Sequence, residues 1–153
     1  MKKPSEQRPT VVLLWTGIVL LAASYLLPSI HGNASFHFTM RGWEVALFIL
    51  SGTLSFMNGE LEILLAGLLL CNLVLYLGIA LLLLKRRVPA WYLPALAAAL
   101  AYVLVFTFLN FGFAQLGTGF YAYLCAYLLL GAACFLARAD RATAAVETVP
   151  VSE

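Results

Sequence analysis

The run ILLAGLLLCNLVLYLGIALLLL (Ile63–Leu84) holds no Asp, Glu, Lys, Arg or His, and Asn72 is its one strongly polar side chain. A helix needs about 20 apolar residues to cross about 30 Å of hydrocarbon, so this run is long enough unaided. It stops at Lys85-Arg86-Arg87. Lys and Arg beside a span collect on the cytoplasmic face, so the cluster also orients the helix. Three further runs repeat the pattern. Val11–Leu27 is interrupted only by Thr16, Gly17 and Ser24, Trp91–Leu109 follows the basic cluster, and Phe120–Ala137 ends at Arg138. None of them contains Asp, Glu, Lys or Arg, as spans embedded in lipid read.

The rest of the chain agrees with that beginning. Of 153 residues, 63% are hydrophobic and 10% charged. Soluble domains carry about 25% charged residues. Nine basic and seven acidic side chains cannot clothe a soluble globule of this size. The mean hydropathy of +0.96 points the same way. The composition excludes a soluble enzyme, a disordered tail, a disulfide-stapled secreted module and a nucleic-acid binder working through a basic face.

A fifth apolar run, Trp43–Met57, contains Glu44, Ser51, Gly52, Thr53 and Ser55. As a helix it reaches about 22 Å, less than a bilayer. The placement of positive charge decides its role. With four spans and an inside N-terminus, Lys2, Lys3, Arg8, Lys85, Arg86, Arg87, Arg138 and Arg141 share the cytoplasmic side, and Arg41 alone lies outside. A fifth span spoils that separation in either orientation. Trp43–Met57 is therefore expected as a short interfacial helix. Asn58-Gly59 is a turn signal with Asn58 as N-cap of the second span, and Glu60 and Glu62 favour its first turn. Upstream, Ser35–Met40 alternates polar and apolar after Gly32-Asn33, the signature of a small hairpin.

The expected fold is an all-α membrane protein, a four-transmembrane-helix bundle forming a single domain over residues 10–137. Its spans are placed at residues 10–28, 61–84, 91–110 and 119–137, with an outer loop at 29–60 and cytoplasmic tails at 1–9 and 138–153. The second tail is expected to fray. The first run is read as a retained span, because it continues past Ala22-Ala23-Ser24 through Leu27 and no Cys follows. No internal repeat supports an inverted-repeat transporter.

The polar residues are read as structural. Cys71, Cys125 and Cys134 lie inside spans without a Cys-x-x-Cys pair and are expected to pack as small apolar groups. His31, His37, Glu44, Glu60 and Glu62 share the outer loop, but their spacing fits no local metal site. Arg41 and Glu44 are expected to pair at the start of the short helix, with Trp43 as an interfacial anchor. Asn72 should hydrogen-bond between helices, with Tyr102, Thr107 or Tyr127 as partner. Small-xxx-small spacings at Gly67/Cys71, Ala95/Ala99 and Ala122/Ala126 mark close helix approaches. Trp91-Tyr92 reads as the inner aromatic anchor, and Tyr25, Trp43, Tyr121 and Tyr123 as the outer belt. An intramembrane aspartyl protease needs Asp in a span, and Asp140 is the only Asp; His-Glu-x-x-His is absent, and Ser24, Ser51 and Ser55 have no His within a span to act as base. No catalytic, cofactor-binding or metal-ligating residue is assigned, and the chain is read as no enzyme.

Gly117-Thr118-Gly119-Phe120-Tyr121, opening the last span, resembles the corresponding stretch of small uncharacterised bacterial four-helix inner-membrane proteins. Some of these also carry an element like Arg41-Gly42-Trp43-Glu44 in the first outer loop. The resemblance implies a bacterial inner-membrane address and no particular activity. Together the residues and the resemblance lead us to expect a multi-pass envelope protein in contact with lipid. Its expected role is that of an accessory subunit or immunity-type factor meeting a protein partner through loop 29–60, with a small transporter or channel component as the alternative.

Overall fold

A computed structural model describes residues 8–32, 39–54, 60–111 and 115–147. In chain order the elements are α1 (Arg8–Leu26), β1 (Pro28–His31), β2 (Thr39–Arg41), α2 (Gly42–Leu54), α3 (Glu60–Leu83), α4 (Tyr92–Phe111) and α5 (Thr118–Glu147). Four of these helices are long and apolar enough to cross a membrane. They are apolar on every face, the mark of a helix buried in a large core or in lipid. The protein has no core large enough to cover them. Val19, Leu70, Leu109, Leu128 and Phe135 are all at least 60% exposed.

Helix α5 runs antiparallel along α1, where Gly17 leaves room for Leu130 and for the backbone at Ala126. Ala126 and Ala133 are fully buried there. Helices α3 and α4 form a second antiparallel pair, and α5 also contacts α3. Arg8, Lys85–Arg87, Arg138 and Arg141 gather at one end, with Arg41 at the other among the described residues. Lys2 and Lys3 lie outside the described residues.

The first helix gains its length at its start rather than at Pro28, which was expected inside the span. Proline cannot donate a backbone hydrogen bond and its ring collides with the carbonyl four residues back, so the helix stops and β1 begins. Strand β1 pairs antiparallel with β2 through Ile30↔Met40 and His31↔Thr39, with a bulge between Pro28 and Ile30. The expected hairpin therefore forms, but its first strand is Pro28–His31. Asn33 and Ser35–Phe38 lie outside the described residues. Ile30 also bridges to Leu116, and the Gly117 amide donates to the Ser29 carbonyl at 2.9 Å. This ties the hairpin to the start of α5, and an isolated hairpin would be only marginally stable.

Helix α2 occupies 13 residues, about 20 Å, and packs on α3, α1 and both strands. Ser55, Met57, Asn58 and Gly59 are outside the described residues, so the proposed N-cap at Asn58 falls there too. Helix α5 continues to Glu147, where the sequence reading has the chain fray after Ala137. The Arg141 guanidinium explains the difference. It donates to the carbonyls of Arg86 at 2.6 Å and Lys85 at 2.9 Å, while Arg138 reaches the Ala90 carbonyl at 3.4 Å. The extra turns are anchored to the α3–α4 connection.

Candidate outer-end chamber

Gly42 and, far along the chain, Gly117 and Gly119 meet at the corner between α1 and β1. A Cβ on Gly42 would strike the backbone of Ser24 and Tyr25, one on Gly117 the backbone of Pro28, and one on Gly119 the Leu27 carbonyl at 2.7 Å. The glycines of both resemblance motifs are thus required by close backbone approach at a single place. Next to them Glu44 accepts a hydrogen bond from the Arg41 amide at 2.6 Å. This is half of a capping box, with Glu44 satisfying the N-cap backbone. The expected pairing of Arg41 and Glu44 is therefore made through the backbone amide of Arg41.

The corner, the hairpin and α2 close over a cavity of about 430 Å³ at the end of the bundle away from the basic cluster. Ser24 of α1, Ile30 and Met40 of the hairpin, and Ala46 and Ile49 of α2 form one side. Leu68 and Asn72 of α3, Thr107 of α4, and Phe120 and Tyr123 of α5 form the other. Among the described residues α2 packs chiefly on α3 and α1. Exposed Phe48 of α2 and exposed Asn110 of α4 both line the cavity. Beyond Asn72 the bundle is filled: Leu75, Tyr127, Leu130 and Cys134 are at most 2% exposed. Ligand sites are typically cavities of about 300–1,000 Å³ with mostly apolar walls and a few placed polar groups. This chamber fits that description.

Ser24, Asn72, Thr107 and Asn110 each give one hydrogen bond to a carbonyl of their own helix. The Ser24 hydroxyl donates to the Leu21 carbonyl at 2.6 Å, Thr107 to Val103 at 2.7 Å, and the Asn110 amide to Phe106 at 2.7 Å. Asn72 donates to its own helix at Leu68, 3.0 Å, and accepts from the Tyr123 hydroxyl at 3.1 Å. The interhelical bond expected of Asn72 exists, but its partner is Tyr123. Tyr123 was expected in the outer belt and points inward instead. No Asp, Glu, Lys, Arg or His is among the described residues lining the chamber.

Four more tyrosines seat on α3. Tyr92 donates to the Val74 carbonyl and Tyr102 to Leu64, both at 2.9 Å, and Tyr127 donates to Cys71 at 3.1 Å. Tyr25 of α1 bonds Tyr76 hydroxyl to hydroxyl. The rings of Tyr92 and Tyr102 lie where a Cβ on Gly78 or Gly67 would stand. Gly67, read from spacing as a point of helix approach, is thus the landing site of a tyrosine. Tyr92 is buried, leaving Trp91 as the exposed aromatic of that pair.

The other weighed residues do not converge. His31 lies 3.4 Å from Thr39 across the hairpin, and His37 is outside the described residues, as are the side chains of Glu60 and Glu62. Among the described residues no three of His, Cys, Asp and Glu gather as ligands of one ion. Cys71 and Cys134 are buried and Cys125 is exposed. The chamber itself was not legible from sequence, since its walls come from five helices and a hairpin. The one available signal was the recurrence of glycine at 42, 117 and 119. The fold and the chamber define a small helical-bundle protein with four span-length apolar helices and an apolar cavity at one end. Comparison with known protein families, curated proteins and solved structures gives no match.

Proposed function

We propose that the chain is an integral protein of the bacterial inner membrane that crosses four times, keeps both ends in the cytoplasm, and acts by binding rather than catalysis. It serves as an accessory or immunity-type component of the envelope, and its outer chamber takes an apolar guest. The cavity of about 430 Å³, free of charged lining groups among the described residues, carries this reading. The exposed apolar helices and the sorting of basic residues to one end support the membrane placement. The hairpin and α2 roof the chamber, so a protein partner on loop 29–60 would sense whether it is filled.

A transporter or channel is the second reading, and it is less well supported. Asn72, the residue expected on a polar path, is engaged by Tyr123 and Leu68 above a filled core. Native mass spectrometry of the protein ejected directly from its own membrane tests the leading proposal. The wild-type chain should retain one apolar guest, and Ala46→Phe, which fills the chamber from α2, should lose it. A wild-type chain that carries no guest would sink the reading.

A further inference from the structure

The hydrogen bonds around the chamber narrow the guest further, on the reading that the chamber holds one. Each hydroxyl has one proton and two acceptor lone pairs. Ser24 and Thr107 are 3% and 8% exposed, and both have given their protons to carbonyls of their own helices. Ser29, at 7% exposure, is turned toward the Leu27 carbonyl at 3.5 Å. A guest therefore meets hydroxyl lone pairs at Ser24 and Thr107, and donors in the second N–H of the Asn72 and Asn110 amides, a pairing that a hydroxyl, at once donor and acceptor, answers. It also meets no cation to hold a carboxylate or phosphate and no anion to hold an amine among the described lining residues. An ionised group placed there would be desolvated without a partner, at a cost far above one hydrogen bond.

We infer that the chamber selects an uncharged, hydroxyl-bearing, single-chain lipid drawn from the surrounding leaflet: a long-chain alcohol in chemical terms. Its apolar body matches the walls, and its hydroxyl donates to a lone pair of Ser24 or Thr107, whose own protons are already given to carbonyls. Exposed Phe48 and Asn110 and partly exposed Phe111 line the chamber from α2 and α4, and on the proposed membrane placement these helices border lipid. Diacyl phospholipids are excluded by their charged heads.

Three diazirine-bearing probes with the same hexadecyl chain test this in phosphatidylcholine nanodiscs: the alcohol, its methyl ether and the corresponding carboxylate. Intact-mass analysis after irradiation reads occupancy against probe concentration. The alcohol should saturate at one adduct per chain, with adducts in α2 or α4; the ether should need about tenfold more probe, the worth of one hydrogen bond, and the carboxylate more than the ether. The double variant Ser24→Ala/Thr107→Val should bring the alcohol to the level of the ether. The probe series uses the wild-type chain and does not depend on any variant folding. Equal labelling by alcohol and ether would overturn the selection for a hydroxyl while leaving an apolar guest site standing. A preference for the carboxylate would overturn the inference by pointing to a cation in the chamber. No saturable labelling by any probe would overturn both the inference and the proposed function beneath it.

Discussion

Gly119 bears on the corner more tightly than its place in a turn-like motif implies. A Cβ there would lie 2.7 Å from the Leu27 carbonyl and 3.0 Å from that of Ser24, and backbone atoms cannot yield as a flexible side chain does. Gly119→Ala should therefore lower stability by about 1–3 kcal/mol, the usual cost of overpacking, seen as an earlier midpoint in mixed-micelle unfolding. Lys85 poses the opposite case. It follows α3 with a φ of 52°. The amides of Lys85 and Arg86 bond back to Leu82 and Leu81, forming a Schellman cap in which glycine is usual. A left-handed conformation costs a side-chain-bearing residue about 1–2 kcal/mol, so Lys85→Gly should raise stability by about that amount in the same assay. Sequence marks both positions, one as a glycine and one as a charge, but the requirement at each arises from backbone geometry.

At the scale of elements, α3 is the post to which the other long helices are fastened. Tyr92 and Tyr102 reach it from α4, Tyr123 and Tyr127 from α5, and Tyr25 from α1. Interhelical hydrogen bonds in membranes average about 0.6 kcal/mol and reach about 1.7, so the fastening works by number rather than by any single strong bond. A double-mutant cycle on Tyr123→Phe and Asn72→Leu should return a coupling energy in that range, and a value indistinguishable from zero would remove this bond from the fold's support. The end of α5 depends on a different contact. Arg141→Ala removes both donors to the α3–α4 connection, and amide exchange in residues 138–147 should quicken while the earlier turns of α5 stay protected. Global stability should change by less than about 1 kcal/mol, because the site is exposed.

For the whole molecule, the proposed orientation rests on the sign of charge at each end. A green fluorescent protein fused after Glu153 should fluoresce, and alkaline phosphatase at the same place should be inactive, because the C-terminus is proposed to face the cytoplasm. Alkaline phosphatase fused after Met57 should be active. Reversal of the two results would invert the topology and place the chamber in the inner leaflet.

Length, apolarity and the absence of charge made the four long helices readable from the chain alone, because a span must satisfy its own backbone and offer lipid nothing ionised. Their boundaries were readable to within a few residues wherever a charge or proline ends the run. The exception is α5, whose continuation depends on Arg141 meeting carbonyls 55 and 56 residues away. Tyr123 could not be sorted by sequence, since an interfacial tyrosine and a tyrosine bonded to a buried amide look alike along a helix. The chamber was invisible for the same reason. Periodicity reports which residues face away from water, whereas a cavity depends on how five helices and a hairpin fail to fill the space between them, and that is settled only by three-dimensional packing.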